Sequence, residues 1–502
     1  MSDAPTVTPP ASPSTAGGSD GLGRTAAGGA AWQGMSYLLG RALVFAATVL
    51  LARLLAPEQF GLVGLALVFI GYAEAVASLG VAQAIVYLPA GRRTNDAAVA
   101  FSVASSLLLA AVAVLSAPAV ASFFGDPEVA PLFRLLALTL VLGAAAQVPD
   151  ALLQRDLRFR RRVGAQLTRS FGRGVASVAF ALAGLGPYAI AWGYIVGDLL
   201  YVVVAWRLVD YRPSRSIFGL RWQEAKPLVS YGAPAAASVL LSNLIFDIDY
   251  LVVGQRLGAE ALGLYTLAFR VPYMAIISVF FVFSAVAFPV FSKVNDDVER
   301  LRRGYLTGLS IQATYGFAAG LGLAVMAPEL VEVVLGPEWR ESIVPLQALS
   351  IYAALRSLAV GANDIYKAMG RPALALWLSF LRLALVVPVL LVATRWGIEG
   401  VAWAQVVLAL VFVGLMQGLA LRILGLPVRR LARALQPALV VGASVALAAG
   451  TASLWSPGSP SVRLAVQAAA GGLAGAAALR FAAPVMIDEV RSLIGRKATA
   501  PA

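Results

Sequence analysis

The residues of this chain that could do chemistry are arginines and carboxylates set inside long apolar stretches. Arg41, Arg173, Arg356 and Arg382 fall near the middle of such stretches, as do Glu74 and Asp198. Asp247 and Asp249, with Arg270 one stretch later, form a second tier roughly 7–10 Å nearer the outer face at the helical rise per residue. An ionisable group at mid-span costs about 2.5–3.5 kcal/mol on insertion scales, so it is a functional hypothesis by default. Four guanidinium groups against two carboxylates leave a basic excess at the midplane even after pairing, which suits an anion. Arginine suits phosphate best, because its planar fork donates two parallel hydrogen bonds and keeps its charge. Arg41, Arg173, Arg356 and Arg382 are therefore the expected anion ligands, Arg41 first among them. Glu74, Asp198, Asp247 and Asp249 admit two readings. They are protonatable carboxylates for ion coupling, or fixed salt-bridge partners, with Arg270 facing Asp247 or Asp249.

The chain contains no His and no Cys. That removes disulfides, thiolate and imidazole metal sites, and nucleophilic systems built on His. No cofactor and no metal are expected.

The elements that position these charges are membrane spans. Apolar residues make up 60% of the 502-residue chain and charged residues 13%, the signature of a polytopic membrane protein. Apolar runs from the first near 28–54 to the last near 462–483 give an all-α integral membrane protein of about 14 transmembrane helices. Turn chemistry marks the breaks, as at Gly125-Asp126-Pro127 and Gly336-Pro337. Basic residues recur in every second gap: Arg92 and Arg93, the run Arg155–Arg162, Arg207–Lys226, Lys293–Arg303, Lys367 and Arg371, and Arg422–Arg433. This asymmetry places both termini in the cytoplasm, and it accounts for the net charge of +13 without nucleic acid. The gap holding Glu329, Glu332, Glu338 and Glu341 lies outside.

The segment Leu55–Ala66 recurs as Leu257–Ala268, with Leu, Glu, Gly, Leu, Leu and Ala in register. Ile190-Ala191-Trp192 is echoed by Val401-Ala402-Trp403. Both pairs occupy equivalent places in a six-span unit, and such parallel repeats set a substrate path between two lobes. The expected order is a disordered cytoplasmic tail (1–23), an N-lobe of spans 1–6 (24–210), a cytoplasmic linker (211–226), a C-lobe of spans 7–12 (227–425), spans 13 and 14 (426–485) and a cytoplasmic tail (486–502). The two six-helix lobes are related by a pseudo-two-fold along the membrane normal, and the last two spans are read as a packing or lipid-facing pair. Trp192, Trp403, Tyr315 and Tyr352 are read as packing or interfacial residues in preference to sugar-stacking platforms.

Four segments in order resemble the bacterial polysaccharide-repeat flippases of the teichuronic and colanic-acid type, within the multidrug/oligosaccharidyl-lipid/polysaccharide exporter superfamily. They are Ala52–Leu62, Ala151–Arg161, Asp249–Ala268 and Phe288–Lys293. The spacing of Arg41 and Arg53 is similar to that of two arginines in the first helix of the related lipid II flippases, whose intervening arginine corresponds to Ala47 here. The resemblance implies alternating access and an undecaprenyl-diphosphate-linked oligosaccharide carried from the inner to the outer leaflet of the bacterial plasma membrane. Arg41, Arg173, Arg356 and Arg382 would then hold the diphosphate. The partners implied are this lipid-linked oligosaccharide, membrane lipids and polysaccharide-biosynthesis enzymes. A multidrug exporter of the same superfamily would want an acidic cavity for cationic drugs. A membrane glycosyltransferase or polymerase would want a large outer domain or a paired-carboxylate loop.

Overall fold

A computed structural model describes residues 39–78, 80–87, 91–214, 222–280, 283–284, 291, 297–456 and 458–482. The expected tails 1–23 and 486–502, the start of the first span, linker residues 215–221 and most of the Phe288–Lys293 signature lie outside the described residues.

Helices follow one another along the whole described chain, because in hydrocarbon each backbone N–H and C=O must be satisfied within its own segment. They are α1 (Leu39–Ala52), α2 (Pro57–Ser78), α3 (Val81–Tyr87), α4 (Arg92–Phe124), α5 (Val129–Leu136), α6 (Leu138–Arg155), α7 (Phe159–Leu182) and α8 (Tyr188–Leu208). Then come α9 (Trp222–Pro272), α10 (Val298–Leu330), α11 (Ile343–Ala368), α12 (Pro372–Ala393), α13 (Gly397–Leu424), α14 (Val428–Trp455) and α15 (Pro460–Ala482). Among the described residues, 10 helical runs are long and apolar enough to cross a membrane. One of them, Ala373–Leu424, holds both α12 and α13, while α7 falls outside the set because Arg160–Arg162, Arg169 and Arg173 make it too polar.

Glycines in the left-handed region mark breaks between helices, as at Gly125 and Gly258. Gly125 closes α4 in the left-handed conformation at φ 70°, and its N–H returns to the carbonyls of Ala121 and Ser122. Gly258 (φ 86°, ψ −176°) interrupts α9 where the chain turns within it.

The two repeated segments pack against each other. A Cβ on Gly61 would overlap the Ala259 carbonyl, and a Cβ on Gly263 would overlap the Pro57 carbonyl. Phe60, Leu65, Leu262 and Tyr265 join one buried cluster there, together with Trp339. Trp339 Nε1 donates to the Ala52 carbonyl at 2.8 Å and meets the Phe60 ring edge-on at 5.4 Å. Arg53 donates to the Val333 and Val334 carbonyls. At the other end of α2 and α3, Tyr87 stacks on Tyr231 of α9 with centroids 4.4 Å apart, and Gly80 lies against Gly232. The first linker residues are tied back to α4, where Asp96 accepts from the Tyr211 and Ser214 hydroxyls. Helix α14 packs on α10, Gly442 against Phe317, and α15 packs on α14, Gly475 against Val445.

Candidate functional site

On the N-terminal side, α7 supplies Arg169 and Arg173, four residues apart and so on one face. Helix α8 supplies Asp198. The two helices approach closely because Gly172, Gly193 and Gly197 leave no side chain between them; Gly197 lies directly against Arg173. Asp198 is 1% exposed and both guanidiniums fork onto it. Arg169 Nε lies 2.6 Å and Nη2 3.3 Å from its oxygens, and Arg173 Nε and Nη2 lie at 2.9 and 2.8 Å. Glu74 of α2 adds an oxygen 3.7 Å from Arg169 Nη2. The aromatic faces of Tyr194 and Tyr201 cover Arg173 and Arg169 at 4.1 and 5.4 Å. Two cations and two carboxylates close on one another, and the fork of Arg173, expected to be open to an anion, is filled by Asp198. Arg169 was not singled out from the sequence; its spacing from Arg173 was the available signal.

Nearer the N-terminal end of α7, Asp150 of α6 accepts from Arg162 Nε and Nη2 at 3.0 and 2.8 Å and from the Tyr201 hydroxyl at 2.7 Å. Beyond the helix ends, Arg158 donates to Asp210 at 2.8 Å. That hydrogen bond and its charge hold the Asp210 carboxyl below the usual carboxylate range.

The C-terminal side differs. Arg356 near the middle of α11 and Arg382 near the middle of α12 line one cavity of about 180 Å³, closed by Gln405, Leu408 and Phe412 of α13 and Phe246 of α9. Asn363, Ser379 and Tyr352 supply further polar atoms to its wall. Arg382 Nη2 donates to the Tyr352 hydroxyl at 3.0 Å. Arg356 lies over the Phe246 and Tyr352 rings at 5.6 and 6.0 Å. Among the described residues, neither guanidinium has an ion-pair partner. The arrangement can hold an oxyanion by charge and by directed N–H donors, in a volume walled by apolar side chains.

Asp249, 2% exposed, borders this cavity through Gln405. It accepts from the Tyr265 hydroxyl at 2.9 Å, from Gln405 Nε2 at 3.0 Å and from the Tyr250 N–H at 3.0 Å. Among the described residues, neither Asp247 nor Asp249 forms an ion pair with Arg270; tyrosine and amide donors satisfy Asp249 instead. Arg41 packs over the Tyr273 ring at 5.6 Å and is not among the residues lining the Arg356–Arg382 cavity. Of the four aromatics considered, Tyr352 lines that cavity, whereas Trp192 and Trp403 face outward and Tyr315 bonds the Ala275 carbonyl. Asp364 of α11, a buried acid not singled out from the sequence, accepts the Ser284 hydroxyl at 2.9 and 2.8 Å.

The family model described as "Polysaccharide biosynthesis protein" matches residues 50–344, more than half of the chain. The chain belongs to this family. Over 369 residues it is 26% identical to the lipopolysaccharide biosynthesis protein WzxC of Escherichia coli K12, covering 72% of this chain and 74% of that protein. It is 26% identical over 381 residues to the succinoglycan biosynthesis transport protein ExoT of Rhizobium meliloti 1021, covering 74% and 75%. The fold is similar to that of the lipid II flippase MurJ in an inward closed conformation, with TM-score 0.71 at 14% identity, over 91% of this chain and 99% of that one. It is also similar to an inward-facing multidrug resistance transporter of the MATE family in the MOP superfamily, with TM-score 0.64 at 19% identity, over 77% and 95%. The chain is thus a multi-pass helical membrane protein of a polysaccharide-biosynthesis transporter family.

Proposed function

We propose that this protein is a flippase that moves an undecaprenyl-diphosphate-linked oligosaccharide from the inner to the outer leaflet of the bacterial plasma membrane by alternating access. It does so without covalent chemistry and without a cofactor. The observation that carries this reading is the Arg356–Arg382 cavity, where two guanidiniums line a shared volume without a counter-ion among the described residues. Each cost about 2.5–3.5 kcal/mol to insert, and a diphosphate returns that cost through paired N–H donors. A sugar head cannot cross hydrocarbon unaided, so the head travels in the cavity while the polyprenyl tail stays in lipid.

In this reading 14 spans form two six-helix lobes (24–210 and 227–425) joined by 211–226, with 426–485 as an added pair and both termini in the cytoplasm. Arg41 and Arg173 belong to the path rather than to the diphosphate pair, and Glu74, Asp198, Asp247, Asp249 and Arg270 are fixed or coupling charges along it. The Gly61·Ala259 and Gly263·Pro57 contacts support a path closed to the outside: each repeat presents its glycine to the equivalent carbonyl of the other, as across a two-fold axis. A drug exporter for cations is disfavoured by the cavity's two positive charges.

The test is a depletion strain. Loss of the protein should leave lipid-linked repeat units on the cytoplasmic leaflet, and an Arg356→Met, Arg382→Met protein that inserts normally should fail to clear them. Clearance at the wild-type rate by that double variant would defeat the reading.

A further inference from the structure

A basic patch lies where several of the N-terminal helices end together. Of the runs long enough to cross a membrane, Arg92–Phe124 begins there, and Val129–Arg155 and Tyr188–Leu208 finish there. Ala97, Leu152, Leu153 and Val209 share one buried cluster that holds these ends side by side. The described carboxylates at this end are already engaged. Asp150 pairs with Arg162, Asp156 with Arg155 and Asp210 with Arg158, and Asp96 accepts from the linker hydroxyls. Arg92, Arg93, Arg160, Arg161 and Arg207 are left over. All five are exposed, and none forms an ion pair among the described residues.

A basic rim alone follows from the way spans are oriented in a bilayer. The turn inside this rim does not. Leu157, between α6 and α7, takes φ 55°. Among the described residues ten glycines take a positive φ, and Leu157 is the residue other than glycine that does so. The Arg158 N–H returns to the Leu153 carbonyl at 2.9 Å and the Leu157 N–H to the Gln154 carbonyl at 3.1 Å, the helix-closing turn in which glycine is usual. Gly125 and Gly425 close α4 and α13 with the same pair of bonds and no steric conflict. A leucine in that place is strained. No packing within the described chain offsets the strain, because Leu157 is 51% exposed and belongs to none of the buried clusters. The turn therefore holds an apolar side chain outward, among arginines, two residues beyond the end of a run that can cross a membrane. That depth is the boundary between acyl chains and headgroups. An apolar side chain can enter that boundary while guanidiniums meet the phosphates above it.

We propose that the α6–α7 turn is a docking surface for anionic phospholipid, with Leu157 seated just below the headgroups and the five unpaired arginines on the phosphates. Charge complementarity selects an anionic lipid over a zwitterionic one. The assignment needs only that these helices cross a bilayer, and it is independent of what the Arg356–Arg382 cavity carries.

Because the chain has no Cys, a Leu157→Cys protein takes a single bimane label. The full chain is placed in nanodiscs of phosphatidylcholine and phosphatidylglycerol, with bromine on the acyl chains of one lipid or the other. Both brominated lipids should quench the label, and iodide in the water should not. Brominated phosphatidylglycerol should act at roughly 5- to 25-fold lower mole fraction, the preference that one or two arginines give. Arg160→Gln with Arg161→Gln should bring the two lipids to within about twofold of each other, and so should molar salt. Leu157→Gly releases the left-handed strain and should melt no lower than the wild-type protein in detergent. A clear fall in that melting temperature would show that Leu157 packs within the chain, and would overturn the assignment. Quenching by iodide but not by brominated lipid overturns it as well, as does equal quenching by the two lipids with all arginines in place. So does a folded Arg160→Gln, Arg161→Gln protein that keeps the full preference. Loss of the preference on adding a low mole fraction of undecaprenyl diphosphate would make the patch a site for the carried lipid instead. Shielding of the label in native membranes but not in nanodiscs would make the partner a protein. Either result removes the phospholipid assignment.

Discussion

Two pairs of arginines sit inside the long helices of this protein, and their surroundings are opposite. Arg169 and Arg173 close on Asp198, with Glu74 beside them, so that their charge is spent inside the protein. Arg356 and Arg382 meet a tyrosine hydroxyl and aromatic faces and keep their charge for a cavity. The difference arises from backbone packing. Glycines at 172, 193 and 197 draw α7 and α8 together until one carboxylate reaches two guanidiniums. The helices around Arg356 and Arg382 stand further apart and leave a volume instead. A buried cation is therefore not a ligand site in itself. It becomes one when the neighbouring helices withhold a counter-ion and leave room.

The largest expected effect tests the C-terminal pair. Replacing Arg356 and Arg382 together by methionine should lower transport by on the order of 10²–10⁴-fold, since each charged hydrogen-bonding group contributes about 1.5–3 kcal/mol. The fold should survive, as methionine matches the volume without a charge to bury. Transport by this folded variant at the normal rate would reverse the comparison.

The next effect tests the N-terminal pair. Asp198→Ala leaves two guanidiniums without their carboxylate and should destabilise the protein by about 3–5 kcal/mol. Changing Asp198, Arg169 and Arg173 together to apolar residues of similar volume should restore much of the thermal stability. If the triple variant melts as low as Asp198→Ala, the cluster has a role beyond mutual neutralisation.

Gly61→Val should be smaller, an overpacking cost of about 1–3 kcal/mol, borne by the conformation in which the two repeats touch. Because the chain has no Cys, a single Ser379→Cys reporter can be labelled with an impermeant thiol reagent from either face. Labelling from the outer face should rise in the Gly61→Val and Gly263→Val backgrounds and stay low with Gly71→Ala, where a Cβ meets nothing within 4 Å. Unchanged labelling in both valine variants would separate the seam from closure.

Tyr352→Phe keeps the ring and removes one hydroxyl, so transport should fall by only about 5- to 10-fold. The smallest effect belongs to Asp210. Its carboxyl is held low by Arg158, so the pair contributes at pH above the usual carboxylate range near 4 and is lost as pH falls through the lowered value. Both groups are at the surface, and Asp210→Asn should leave transport and melting unchanged at neutral pH. A clear loss there would mean that the rim carrying Arg158 and Asp210 is part of the path.

Much of this was legible in the chain itself. Hydropathy and the spacing of loop arginines marked the helices, and the recurrence of Leu55–Ala66 as Leu257–Ala268 marked two segments that pack on each other. The charges at Arg173, Asp198, Arg356 and Arg382 stood out because polar residues in apolar runs are costly. What pairs with what was not legible. Asp198 was expected as one of two acids shared among four arginines, yet it takes one of them, Arg173, together with Arg169, which had not been counted. Arg270 was expected by depth to face Asp247 or Asp249, yet at Asp249 a tyrosine and a glutamine are the donors. Gln405 gave almost no signal, because an uncharged amide in an apolar helix is inexpensive enough to pass unnoticed.

Composition and periodicity by themselves determined that this protein is helical and membrane-embedded, with charges at particular depths. Both follow from the one-dimensional cost of placing each residue in hydrocarbon. Only the tertiary structure decided which guanidiniums are neutralised and which line a cavity. That depends on distances of a few ångströms between side chains far apart in the chain, set by how closely two helix backbones can approach.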